Sequence, residues 1–418
     1  MIVARSARLG NFFRTALTIV NGIWAVPAVV AMRALSRWCL VRVGTLNSGR
    51  IGHFTVDGAE QIARFGPAAL PAKVIDWWWL SPTCNRQWEL MVRRTLAVHW
   101  WVRYLISWNL RIPGGGRHSR PSSLTSSRDT EGLFVRHDVK LPFTPRESEA
   151  ARAWLRKQGW TDGEPFVCLI VRDAAYMAED PMQGSGGPAQ KSDWEYHDYR
   201  NSDVETYLPA IEWLVSHGVW VFRMGKLMAK PLPGGLERVV DYAFDPERSD
   251  LLDVWLFANC QGCISTATGP DGIALIYQRP ILYVNALPLG HLGSFANSVW
   301  VPKHMNWRDS GKQLSLRECL EHTYLRSEEY DAAAIEISDL DPGEIKAAVE
   351  EFWLRCTGCW NEAPVDQKRQ DDFWEQFTAW PEYGKFHSWR HPHARVGAAW
   401  LKSLGDEYIG SASPAQVQ

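Results

Sequence analysis

Short, nearly continuous apolar runs recur through the second half of the chain, at Pro165–Val171, Val219–Met224, Gly262–Ser265 and Ile281–Val284. A strand with one wet face alternates polar and apolar residues, whereas a strand covered on both faces does not. Helix signals separate these runs. Thr144-Pro145-Arg146-Glu147 places a cap residue, a proline and a glutamate in the order that opens a helix, here expected to reach Gln158. Ser202-x-x-Glu205 reads as a capping box for a helix to His217, Ser249 caps one to Asn259, and Pro270 starts one to Tyr277. Val239–Ala243 adds a short strand. Strands and helices alternating at this spacing predict an α/β fold with a parallel sheet covered on both faces.

The first half repeats the logic less regularly. Cys39–Gly44 reads as a strand, Val56–Phe65 as a helix, Ala72–Leu80 as a second strand, and residues 85–111 as one long basic and aromatic helix. Residues 113–130, rich in Gly, Ser, Pro and Arg, read as a linker or mobile loop. A chain of 418 residues exceeds one ordinary core. We divide it into an apolar N-terminal helix (1–37), a first α/β domain (38–140), a second (141–340) and C-terminal helices (341–418). Arg395–Leu404 is expected to brace the first domain. His387, His391 and His393 read as a surface loop.

Charge separates the two halves. Residues 1–128 carry 17 Lys and Arg against 4 Asp and Glu, and the remainder 28 against 43. A net charge of −2 argues against a dedicated nucleic-acid protein, while the basic half suits anionic lipid or phosphate. Thr15–Met32 holds no charge and is bracketed by Arg5, Arg8 and Arg14 on one side and Arg33, Arg37 and Arg42 on the other. Its length is at the lower limit for a membrane span, and Asn21, Gly22 and Pro27 weaken one. An interfacial anchor on the inner membrane face is expected, with a buried first helix as the alternative. The 23 tryptophans fit membrane or sugar surfaces, or plain core packing. Cys260-x-x-Cys263 and Cys356-x-x-Cys359 stand too far apart for a zinc ribbon, so reduced structural thiols in a cytoplasmic setting are expected.

Ligands of parallel sheets bind beyond the carboxyl ends of the strands. There the sequence carries Arg172-Asp173, Arg223-Met224-Gly225-Lys226, Thr266-Ala267-Thr268-Gly269-Pro270-Asp271 and Asn285. Helix N-termini and cations at such ends suit a diphosphate, although each loop alone also reads as ordinary turn chemistry. The polar run Tyr196–Asp203 precedes a helix. Its His197 and Asp198 are general-base candidates, and Arg200 adds a full charge.

The stretches "YHDYRNSD", "YLPAIEWLVSHGVWVFRMGK", "DYAFDPERSDLLDVWLFANC" and "STATGPDGIALIYQRPILYVNALP", with "LVRVGTLNSGRIGHF" at residues 40–54, resemble a bacterial family of GT-B-type glycosyltransferases. They are distantly similar to the fucosyltransferase group as well. The resemblance covers roughly residues 40–310. It implies two Rossmann-like domains facing a cleft, a nucleotide-sugar donor on the second and a glycan or lipid-linked acceptor on the first. On it, Arg172, Arg200, Asp203, Arg223, Gly225 and Lys226 become donor-site candidates, and Thr266, Thr268 and Gly269 a phosphate loop. Asp241 and Tyr242 would approach the base or ribose. Arg50, Gly52 and His53 would face the cleft, His53 as an alternative base. Asp271 departs from the family pattern, since a carboxylate there repels phosphate unless turned away. No Asp-x-Asp metal motif is recognised in the chain, so no metal and no cofactor beyond the sugar donor are expected. The implied activity is sugar transfer in surface glycan synthesis. The alternatives are a nucleotide-sugar epimerase of the same fold and a non-catalytic glycan- or membrane-binding protein.

Overall fold

The computed structural model describes residues 2–65, 73–173, 175 and 195–410, with 2–15 and 195–197 described by backbone only. Two compact units divide it. The first runs to Asp129 and includes Leu133–Thr144. The second comprises Thr130–Gly132 and the described residues from Pro145 onward.

In the first unit, β1 (Leu40–Leu46) lies between β2 (Val74–Leu80) and β3 (Ser119–Arg120), all parallel. The helix Ile51–Phe65 connects β1 to β2 and buries Asp57, Glu60 and Gln61. Buried polar groups need partners, and residues 121–127 supply them. Gln61 Nε2 donates to the Pro121 carbonyl (3.1 Å), the Leu124 N–H donates to Glu60 (3.3 Å), and Ser123 and Ser127 donate to Asp57 (2.9 Å each). The polar stretch expected to be a linker therefore contributes a strand and a seam of hydrogen bonds. Residues 85–111 form two helices, Arg86–Thr95 and Val102–Arg111. Between them the chain joins the open edge of β2. Trp78 N–H donates to Ala97 O (2.9 Å) and His99 N–H to Trp78 O (2.9 Å). Unpaired edge groups satisfied this way compete with helical hydrogen bonds.

The second unit holds a seven-stranded sheet: β4 (Phe166–Ile170), β5 (Trp220–Arg223), β6 (Val239–Val240), β7 (Gly262–Ser265), β8 (Ile281–Val284), β9 (Ser298–Val301) and, after a separate antiparallel pair β10 (His304–Trp307) and β11 (Ile335–Ser338), β12 (Arg395–Val396). The order is β12-β9-β8-β7-β4-β5-β6, with every pairing parallel. All residues of β4, β5, β7, β8 and β9 are buried, which accounts for the unbroken apolar runs. The chain moves outward from β4 through β5 to β6, then returns past β4 to β7 and continues the other way. That reversal makes the β4–β7 boundary the switch point of a doubly wound sheet.

The C-terminal segment builds this same sheet. β12 pairs with β9, Gln370 Nε2 donates to the Val396 carbonyl, and the Ala398 N–H donates to buried Glu351 (2.7 Å). Arg395–Leu404, read from sequence as a brace for the first domain, thus belongs to the second unit. His387 is likewise no surface residue. It is 2% exposed and hydrogen bonded to Ser294 Oγ (2.8 Å) and Gly290 O (2.9 Å). Cys263 in β7 faces Cys168 in β4 and both are buried, and Cys356 packs beside Gly262, whereas Cys359 is exposed, so the four thiols of the two Cys-x-x-Cys pairs do not gather into one cluster.

Candidate functional site

The strand ends at the switch point are stitched together. Arg172 N–H, just past β4, donates to Thr266 Oγ1, just past β7 (2.9 Å). Ser202 N–H donates to Arg172 O (3.0 Å), and Arg172 Nε to Asn201 Oδ1 (3.3 Å), which lays segment 198–203 over the rim. From that segment Arg200 reaches across the boundary, its Nη2 donating to Ala267 O at 2.5 Å. Arg200 Nε and the neighbouring Thr268 Oγ1 are buried and find no hydrogen-bond partner among the described residues. Ala267 (φ 57°), two residues after β7, and Asn285 (φ 54°), immediately after β8, adopt the left-handed conformation that costs a non-glycine residue energy. Strain and unmet donors thus collect at one place.

Asp271 alters the loop that the sequence offered to phosphate. Its carboxylate turns inward, accepting from Thr268 N–H (2.8 Å) and Ser265 Oγ (2.7 Å). Burial raises its pKa to about 6, while those two hydrogen bonds and the charge of Arg200 pull the other way. The loop therefore closes around its own carboxylate, which takes the Thr268 amide that the sequence reading offered to phosphate. A folded-state pKa above the ordinary value of 3.8 means that stability is full below that value and is lost as pH rises through about 6. Relative to the parent chain, Asp271→Asn is expected to gain about 2 kcal/mol between pH 4.5 and 7.5. Urea unfolding of both at each pH checks this, and an unchanged difference contradicts it.

Beside the switch point, at the ends of β4 and β5, lies a cavity of about 370 Å³ whose lining includes Asp173, Asn201, Asp203, Arg223, Lys230 and Asp339. Its charges are largely paired. Arg223, 1% exposed, binds Asp241 (3.0 Å) and Lys230 O (3.1 Å), and Asp241 also accepts from Leu232 N–H (2.7 Å). Lys230 bridges Asp203 (2.8 Å) and Glu205 (3.2 Å). Lys303, 4% exposed, donates to Asp339 and Asn201 O, both at 2.5 Å. Burial pulls its ammonium pKa down and Asp339 counters that. Ser202 Oγ donates to Asp339 (2.7 Å) and accepts from Asn285 (3.0 Å). Asp203, not Ser202, caps the next turn, accepting from Glu205 N–H at 3.0 Å. Ser202 is thereby released for the buried network.

The structure thus brings Arg172, Arg200, Thr266, Thr268 and Gly269 to one edge, with Asp203 and Arg223 lining the neighbouring cavity and Asp241 paired to Arg223. Other candidates fall elsewhere. A Cβ at Gly225 would meet the Met228 side chain at 2.5 Å, so this glycine serves close packing. Lys226 is exposed. Tyr242 is fully buried, its hydroxyl hydrogen bonded to Asp253 (2.8 Å) and the Ser249 N–H (3.1 Å), so it does not approach a base or ribose. Asp198 is exposed and accepts from Asn201 Nδ2 (2.9 Å), while His197 lies outside the described side chains. Sequence reading missed Lys230, Lys303 and Asp339. Lys303 stands two residues past the end of β9, so extending the strand-end rule one strand further would have found it. It also missed an Asp-x-Asp spacing, Asp339-Leu340-Asp341, beyond the quoted stretches. The two carboxylates have different tasks. Asp341 caps the helix Pro342–Cys356 through Gly343 N–H (2.7 Å) and Glu344 N–H (2.9 Å), whereas Asp339 holds Lys303. Among the described residues no group of three or more His, Cys, Asp or Glu converges to hold a metal.

In the first unit, Arg50 and Gly52 flank the start of the helix Ile51–Phe65, and His53 follows. His53 Nδ1 lies 3.1 Å from Asp57 Oδ2 and 2.6 Å from Ser127 Oγ, and Ser127 donates to Asp57 Oδ1. Asp57 is 1% exposed, while the His53 side chain is 38% exposed. A proton on Nδ1 satisfies both neighbours and leaves Nε2 as the basic nitrogen. Ser126 and Ser127 present this contact from left-handed backbone, φ 54° and 62°.

No family model matches the chain, and no curated protein matches it. Solved structures that align with it include a glycosyl transferase family 9 protein from Veillonella parvula, at 10% identity and a TM-score of 0.37 over 63% of this chain and 86% of that one. ADP-heptose lps heptosyltransferase II of E. coli aligns at 12% identity and a TM-score of 0.38, over 75% and 99% of the two chains. E. coli heptosyltransferase WaaC with ADP aligns at 13% identity and a TM-score of 0.32, over 63% and 91%. None of these three is described as a fucosyltransferase. Likeness this low transfers no substrate or residue role, and the doubly wound α/β assignment rests on the strand pairing of this chain.

Proposed function

We propose that this chain is a glycosyltransferase that moves a sugar from a nucleotide-diphosphate donor to a hydroxyl acceptor in bacterial surface glycan synthesis, without a required metal, at the cytoplasmic face of the inner membrane. The observation that carries the reading is Arg200 laid across the switch point with its Nε unpaired beside the unpaired Thr268 hydroxyl. A guanidinium and a hydroxyl at the strand ends suit the oxygens of a diphosphate, whose negative charge grows as the sugar departs. Arg172 and the exposed Gly269 lie on the same edge. On the acceptor side, His53, oriented by Asp57, takes the hydroxyl proton through Nε2. His197 and Asp198 are the remaining bases. The excess of Lys and Arg over Asp and Glu in residues 1–128, 17 against 4, favours an anionic or lipid-linked acceptor.

The test is a thermal-shift screen of nucleoside diphosphates on the full chain, with and without EDTA. Binding at one hundred times Kd adds about 2.7 kcal/mol, which raises the melting temperature by a few degrees. One base is expected to stand out, and EDTA is expected to leave its shift intact. If no nucleoside diphosphate stabilises the chain, the donor reading fails in favour of a non-catalytic binding protein.

A further inference from the structure

We infer that the helix Ile2–Ala34 and the helix Val102–Arg111 together form a platform that lies flat on an anionic lipid surface, and that the first helix does not cross the bilayer. This deepens the membrane part of the proposed function and rests on it. Lipid binding is read without a transfer assay, so the two can fail separately.

The first helix has two apolar faces. Gly22, Ala25, Val29 and Met32 are buried, the spacing of one helical stripe. Ala25, Val29 and Met32 pack with Val43, Val102, Tyr104 and Leu105 into one core. Contact runs the length of the apolar stretch. Trp108 Nε1 donates to Thr18 O (3.1 Å), and a Cβ at Gly22 would strike the Trp108 ring at 2.6 Å. At the other end Arg33 donates to Asn109 Oδ1 (2.8 Å), Ile112 O (2.9 Å) and Pro113 O (2.7 Å). To cross a bilayer alone, the helix would have to leave this core and open those bonds.

The opposite face is apolar where a water-facing helix would be polar. Ile19, Val20 and Ile23 are 63%, 62% and 81% exposed, and Leu110 on the second helix is 71% exposed. Trp38 and Trp100, 61% and 66% exposed, have the amphipathic ring that settles at headgroup depth. The charge identifies the lipid. No Asp or Glu occurs in residues 1–56 or 90–128. Arg37, Arg103 and Arg111 are exposed, their guanidinium groups over the rings of Trp38, Tyr104 and Trp108. Basic side chains around an apolar face match anionic headgroups over acyl chains.

The test floats the full chain with vesicles of phosphatidylcholine alone or mixed with phosphatidylglycerol. Binding is expected to the anionic vesicles, to fall about tenfold or more in half-molar salt, and to be removed by alkaline carbonate. Ile23→Glu with Leu110→Glu, both at exposed positions, is expected to reduce binding about tenfold or more with an unchanged melting temperature. Arg103→Glu with Arg111→Glu is expected to remove the preference for anionic lipid. Retention through carbonate would mean a spanning helix and overturn the inference. So would charge-independent binding, absence of binding, or a dimer that the Ile23→Glu, Leu110→Glu chain dissolves while vesicles float free of protein.

Discussion

Arg200→Ala is expected to weaken nucleoside-diphosphate binding about 30- to 100-fold, measured by titration calorimetry. A charge-assisted hydrogen bond at a partly buried site contributes roughly 1.5–3 kcal/mol, and loss of a whole guanidinium removes more than one. Its present partner is a carbonyl, Ala267 O, which leaves its charge unneutralised at that contact. Arg200→Lys keeps a charge but not the planar fork, so an intermediate loss is expected. The variant also leaves Ala267 O without this donor, a cost of about 1–2 kcal/mol in stability, which unfolding measurements separate from binding. Parental affinity in Arg200→Ala would remove the donor from this edge.

The second large effect is catalytic. His53→Ala is expected to lower kcat by a factor on the order of 10³ while leaving the donor KM within a few-fold, since general-base catalysis contributes roughly 10²–10⁴. Added imidazole is expected to restore part of the lost rate. Asp57→Asn keeps the shape but removes the carboxylate that orients Nδ1, and its loss is expected to follow that of His53→Ala. Asp57 also accepts from Ser123 and Ser127, so circular dichroism must show the helix Ile51–Phe65 intact. Unchanged turnover in His53→Ala would pass the role to Asp198 or His197.

The second sheet was legible because its strands are buried on both faces, and double burial writes itself as unbroken apolar sequence. The rim followed from it, since strand ends are where apolar runs stop. What stayed hidden depended on partners distant in sequence. Nothing near Tyr242 announces that its hydroxyl answers Asp253 and Ser249, nor near Gly225 that Met228 fills the space beside it. The two-residue strand β3 in a Gly- and Ser-rich stretch has no periodicity to detect, and it forms because β1 presents an edge. Residues 85–111 have helical propensity throughout, and only the edge of β2 explains their interruption. Asp271 was flagged as a conflict between carboxylate and phosphate. Geometry answers with a carboxylate that holds the Thr268 amide itself and whose pKa burial raises.

The most direct measurement is a crystal structure of the full chain with the nucleoside diphosphate that stabilises it most. The account predicts the diphosphate at the ends of β4 and β7, with its oxygens bonded to the Arg200 guanidinium and the Thr268 hydroxyl. A diphosphate seated away from that edge, with Arg200 still bound to Ala267 O alone, would contradict it.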